Sequence, residues 1–161
     1  MKKWLWGALA GLFVGTAVGF ALGVYTLPIL VEFLGDRRQS ETVQVFSESD
    51  PTGEFDRDSP GSDPLHWGEG RIRLSSGHLI FEDDVRLAPG PDYRIYMTTK
   101  FVDNRDDFKR IKAQAVEISK LKNFSGPQSF ELPPDLDTDV YDNVVVWCEA
   151  FAMYIASARI D

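Results

Sequence analysis

Cysteine is almost absent from this chain. Of 161 residues one is cysteine, Cys148, and two are histidine, His66 and His78. A lone thiol excludes an intrachain disulfide and every Cys-x-x-Cys redox or zinc motif. Neither histidine has a second histidine or a cysteine at ligand spacing, which argues against a dedicated zinc site, and no metal is expected. A nucleophile elbow of the Gly-x-Ser-x-Gly type is missing, and no phosphate-cradling glycine loop follows residue 31. Hydrolase and nucleotide-binding chemistry have no support, and these residues do not describe a conventional enzyme. Basic charge is also in deficit. Seventeen Lys and Arg stand against 25 Asp and Glu, a net charge of −8. Because Lys2 and Lys3 lie at the start, the remainder is more acidic still. Such a field opposes nucleic acid and anionic headgroups, so no nucleic-acid partner is expected.

A long uncharged run is present instead. Residues 4–31 carry no charge, and as a helix they would extend about 40 Å against a hydrocarbon core of about 30 Å. Trp4 and Trp6 suit one interfacial belt and Tyr25 the other, while Pro28 lies near the far end, where a helix tolerates it. Residues 1–31 are therefore expected to form a single-pass transmembrane anchor in contact with membrane lipid. Lys2 and Lys3 favour a cytoplasmic N-terminus and an extracytoplasmic C-terminal domain at the cell membrane; Arg37 and Arg38 pull the other way. A cleaved signal peptide is the competing reading, with Ala21, Leu22 and Gly23 as a small-residue cleavage site. The apolar run continues past that site and favours an uncleaved anchor. Gly7, Gly11, Gly15, Gly19 and Gly23 recur at every fourth position, a glycine zipper along one helix face. That face suits self-association or a partner's membrane helix, although glycine is also common in such helices generally.

Residues 32–44 read as a polar tether and residues 45–161 as one small domain. The stretch 47–64, rich in Asp, Ser, Gly and Pro, reads as a long loop. Alternating segments follow at 70–75, 78–82, 85–88 and 92–97, with Ser76-Gly77 as a tight turn. Residues 102–112 are charged and read as a loop or short helix. Further strands are expected at 115–119 and 128–132. The final run, 143–160, is too long for one strand and should bend or change sheet near Glu149 and Ala150. Many short strands with frequent turns predict an all-β, antiparallel β-sandwich preceded by one transmembrane helix.

The thiol lies in the strand that opens this final run. Alternation puts Val144, Val146, Cys148 and Ala150 on one face, and Val145, Trp147, Glu149 and Phe151 on the other. The cysteine face is wholly apolar, and Glu149 marks the other as the wetter one. A buried structural thiol is one reading, because free cysteine often packs as a small hydrophobe. As a thiolate, Cys148 would instead exchange with other thiols or ligate haem iron. Met97, Met153, His66 and His78 are the other soft or nitrogen ligands after residue 31, and spacing does not join any of them to Cys148. Asp135, Asp137 and Asp139 alternate like the opening of a calcium loop. That loop's sixth position would be Val140 and its twelfth Val146, where glycine and glutamate belong, so a solvated turn is the default.

Taken in order, several segments resemble a known family. They are residues 77–84 (GHLIFEDD), 90–96 (GPDYRIY), 118–126 (ISKLKNFSG), 128–133 (QSFELP) and 144–148 (VVVWC), with Phe151 and residues 157–160 closing the pattern. From about residue 45 to 160 the chain resembles the DM-thirteen domain, often labelled an electron-transfer domain. Members are typically exported, and in animals they occur beside DOMON and cytochrome-b-like domains. The resemblance implies that the Trp147-Cys148 pair matters. It implies redox work through Cys148, as a bare thiol or as a ligand to a prosthetic group such as haem, with the second ligand unknown and Trp147 packing beside it. The alternative is a non-catalytic extracytoplasmic binding or adhesion module in which Cys148 is core packing.

Overall fold

The computed structural model describes residues 49–161 and, before them, residues 11, 12, 14–16, 18–20, 22–24 and 26. The chain divides into two compact units, residues 1–39 and 40–161. The described residues of the first unit are helical, and the Thr26 hydroxyl donates to the Leu22 carbonyl at 2.8 Å. Gly11, Gly15, Gly19 and Gly23 have open space where a Cβ would stand, and Leu12, Val14, Val18, Phe20 and Leu22 are exposed. No helix among the described residues is long and apolar enough to cross a membrane. The expected anchor over 1–31, Gly7 included, falls largely outside the described residues, and the tether over 32–44 falls wholly outside them.

The second unit is built from two antiparallel sheets. One runs β1(Thr52–Phe55), β2(Gly68–Ser75), β3(His78–Phe81) and β7(Gln128–Glu131), with β4(Arg86–Leu87) paired to the start of β2. The other has the order β6(Val116–Lys120), β5(Tyr93–Thr98), β8(Asn143–Cys148), β9(Met153–Arg159). Local sequence sets much of this. Ser76 and Gly77 both have positive φ, 50° and 75°, while Ser75 pairs with His78, so the β2–β3 hairpin closes in two residues. Gly70, at φ 107°, passes so close to Val85 that a Cβ would stand 2.5 Å from its Cα. Only glycine lets β2 turn there from its ladder with β1 and β3 to its ladder with β4.

Apolar side chains from both sheets fill the space between them. Ile72, Leu79 and Phe81 of the first meet Ile95, Val144, Val146 and Ile155 of the second, all fully buried. Phe55, Phe81 and Phe130 form an edge-to-face row at 5.3 and 5.2 Å. Each such side chain contributes roughly 1.5–3 kcal/mol of burial, so this layer dominates the stability. Reciprocal backbone bonds between Thr52 and Asp161 tie β1 to the residues just after β9, joining the two sheets along one side.

Several expectations need correction. β1 lies inside the stretch read as a loop; only one of its four residues, Phe55, is buried, so its sequence lacked an apolar run. The run 143–160 bends at Glu149 and Ala150, one of the two alternatives expected there, and does not change sheet. It reverses through residues 149–152 and pairs with itself as β8 and β9. The charged segment, expected as a loop or short helix, is the short helix α1(Arg105–Ile111), capped by the Asn104 side chain, which accepts the Asp107 N–H at 3.0 Å. Seven residues do not hold a helix alone; burial of Phe108 against the second sheet does. That packing also overturns the wet outer face. Val145 and Trp147 are as buried as Val144 and Val146, and all six residues of β8 are covered.

Candidate functional site

β8 is flanked by β5 and β9, and its last two residues are the Trp147-Cys148 pair. Cys148 faces the inter-sheet core with Val144 and Val146, as alternation requires, and is 1% exposed. Its register partners are Tyr93 of β5 and Met153 of β9. Sγ donates to the Pro91 carbonyl at 3.4 Å. Burial pushes the thiol up. The Phe151 and Ala150 backbone N–H groups oppose this, and the negative charges of Asp92 and Glu149 reinforce it. The sulfur is therefore protonated at neutral pH and is a poor nucleophile in the closed fold. It is nevertheless shallow: the next residues are a turn in which Ala150 and Phe151 are exposed.

Of the four other ligand candidates, Met153 alone is brought to Cys148. Met97 is buried opposite Val144, at the other end of β5. His78 begins β3 in the first sheet, with Nδ1 3.0 Å from the Ser76 carbonyl. His66 sits in a loop with Nδ1 2.8 Å from Asp63. The Cys148 sulfur is enclosed by Pro91, Tyr93 and Met153 and offers no open face, so a haem macrocycle does not fit this arrangement. Among the described residues no three His, Cys, Asp or Glu side chains converge as metal ligands. Asp137 instead accepts the Asp139 N–H within its own turn, and Glu82 and Asp84 pair with Arg71.

Trp147 points the opposite way, into a second cluster with Tyr96, Val102, Phe108, Val145 and Tyr154. Its ring lies 4.9 Å from Phe108, whose other neighbour is Tyr96 at 5.4 Å. The β8–β9 register slips between Val146 and Trp147. Ile155 is the extra residue, so Tyr154 faces Trp147 while Ile155 and Ala156 both join the inter-sheet core. The indole N–H is buried and has no hydrogen-bond partner among the described residues, a cost of about 1–3 kcal/mol.

Polar groups close the rim of this cluster. The Tyr96 hydroxyl donates to Glu149 at 2.5 Å and approaches Glu117 at 3.2 Å. Lys112 holds Glu149 at 2.6 Å and lies 5.8 Å from the Trp147 ring centre. Burial, then the Glu149 hydrogen bond, raises the Tyr96 phenol far above its usual range. Burial pushes Glu149 up, but Lys112 and Tyr96 outweigh it and leave the carboxyl below its ordinary value. Arg94 bridges Glu117 and Asp92. Tyr96, Lys112, Glu117 and Arg94 were not singled out from the sequence. Alternation along β5 does place Arg94 and Tyr96 on one face, but the pairing of β5 with β8 cannot be read from either strand.

A separate polar pocket of about 320 Å³ is lined by Arg57, Asp58, Ser59, Ser62, Asp63 and Trp67, among others. Its Ser59 hydroxyl meets the Tyr154 hydroxyl at 3.1 Å. Compared with known proteins, residues 61–160 match the family model described as electron transfer DM13. No curated protein and no solved structure matches the chain.

Proposed function

The chain belongs to the electron transfer DM13 family, and from that premise we propose a membrane-anchored, extracytoplasmic domain that passes electrons at the Trp147-Cys148 pair. The observation that carries this reading is the pair's position. Two oxidisable side chains are adjacent in one strand, face opposite sides of the same sheet, and are both closed to water one residue from a surface turn. Such shielding suits transfer of an electron without atom transfer. It does not suit thiol exchange, which needs an accessible thiolate. The uncharged run at 4–31 and the lysines before it support the anchor and the orientation. The glycine face supports self-association or docking on another membrane helix. Replacing Gly11 and Gly15 by leucine would abolish that association.

The second reading is a binding or adhesion module with Cys148 as core. The thiol's burial and raised pKa favour it. Electron exchange separates the two. The full chain in detergent, titrated against soluble one-electron mediators, should exchange electrons, and Cys148→Ala should lose most of that exchange while keeping its fold. Undiminished exchange in folded Cys148→Ala would remove Cys148 from the function.

A further inference from the structure

Within the electron-transfer reading, and resting on it, we propose that an oxidising equivalent reaching the Trp147-Cys148 pair comes to rest on Tyr96, whose hydroxyl proton passes to the carboxylate of Glu149. The argument turns on where each oxidisable group's proton can go. Removing an electron from a thiol, indole or phenol makes its S–H, N–H or O–H strongly acidic, so the hole is trapped where a base already touches that hydrogen. Cys148 Sγ donates to the Pro91 carbonyl, which does not retain a proton. Among the described residues the Trp147 indole N–H meets no hydrogen-bond acceptor. An oxidised Trp147 keeps its proton as a radical cation, next to the positive Lys112, and is driven to take an electron from a neighbour. Tyr154 hydrogen-bonds to the Ser59 and Ser157 hydroxyls, which are not bases either.

Tyr96 differs. It lies in the same apolar cluster as Trp147, one aromatic ring away through Phe108. In the sheet the two are diagonal neighbours, because Arg94 is the register partner of Trp147 and Val145 that of Tyr96. Its hydroxyl already donates to Glu149 and lies beside Glu117 as a second acceptor. Lys112 keeps Glu149 ionised and ready to accept. An oxidised phenol is a far stronger acid than any carboxylic acid, so the Lys112 pairing does not prevent the transfer.

The step balances. One electron leaves Tyr96 for Trp147 and then a high-potential, metal-centred one-electron oxidant outside the domain. The Tyr96 O–H bond breaks, an O–H bond forms on Glu149, and a neutral tyrosyl radical remains. Re-reduction returns one electron to Tyr96 and the proton from Glu149.

The test is flash photo-oxidation of the full chain in detergent by photogenerated ruthenium(III) tris-bipyridine, followed by transient absorption and electron paramagnetic resonance. The expected result is a neutral tyrosyl radical that is lost in Tyr96→Phe, with formation slowed in deuterated solvent. Glu149→Gln should slow formation at least tenfold. A ring-fluorinated tyrosine placed at 96 keeps the packing and should change the radical's hyperfine pattern, so the assignment holds even if Tyr96→Phe folds poorly. An unchanged hyperfine pattern with the fluorinated residue, or a radical confined to Trp147, would overturn the inference. Either result leaves the electron-transfer reading standing, because that depends on mediator exchange and its loss in Cys148→Ala.

Discussion

Labelling Cys148 with a maleimide measures how often the β8–β9 end of the sandwich opens. The thiol is 1% exposed and hydrogen-bonded to Pro91, so the closed form offers neither access nor thiolate. Reaction must wait for an opening that separates Cys148 from Tyr93 and Met153, its register partners on either side. Domains of this kind are stable by about 5–15 kcal/mol, and a partial opening at a sheet end costs less. At about 4 kcal/mol, with each 1.4 kcal/mol worth tenfold, roughly one molecule in a thousand is open at any moment. The native full chain in detergent should therefore label about a thousandfold more slowly than in guanidinium. The pH dependence gives an internal check. Burial raises the thiol's pKa only while the fold is closed. The reacting species is the opened one, so the rate should rise with pH as for an ordinary cysteine. Native labelling within about tenfold of the denatured rate would refute the closed site and restore thiol exchange as a mechanism.

Trp147→Ala should cost about 3–5 kcal/mol in chemical denaturation, whereas Trp147→Phe should cost much less, because the indole N–H has no partner to lose among the described residues. Equal losses in the two variants would mean that the N–H is bonded. Ala152 holds φ at 49° in the β8–β9 turn, so Ala152→Gly should raise the melting temperature, by up to about 1 kcal/mol of stability; a fall would show that the turn is not left-handed there. Acidification gives the last test. The folded pKa of Glu149 lies below its ordinary 4.5, and that of Asp92 below 3.8. Their stabilisation is complete above those ordinary values and disappears as pH falls through the lower folded ones. Melting temperature should hold steady from pH 7 to about 5 and drop below about 4; a rise on acidification would contradict the Lys112–Glu149 pair and the pairing of Asp92 with Arg94 and, at 3.2 Å, with Lys120.

How far the sequence reaches differs from element to element. The β2–β3 hairpin was legible because Ser76-Gly77 is a local signal: two left-handed residues between alternating strands specify their own turn. The inward face of β8 was legible for the same reason, since period-two alternation is a property of one strand. Its outward face was misread. Glu149 suggested water, yet α1 covers Trp147, and the helix comes from a segment some forty residues earlier whose charges gave no sign of where Phe108 would dock. β1 was missed because its short, polar sequence pairs by backbone with β2 and carries little periodicity of its own.

By itself, the sequence determined the strand-and-turn grammar, the acidic character of the domain, the uncharged run before it, and the singular cysteine next to a tryptophan. These are properties of composition, spacing and local backbone preference, which need no partner elsewhere in the chain. Tertiary structure alone decided that Cys148 is sealed against Met153 and Tyr93 rather than open, that Trp147 lies beneath a helix, and that the Tyr96 hydroxyl meets Glu149. Apart from the local Cys148–Met153 pair, those contacts join residues tens of positions apart, and only the register between β5, β8 and β9, with the docking of Phe108, brings them together.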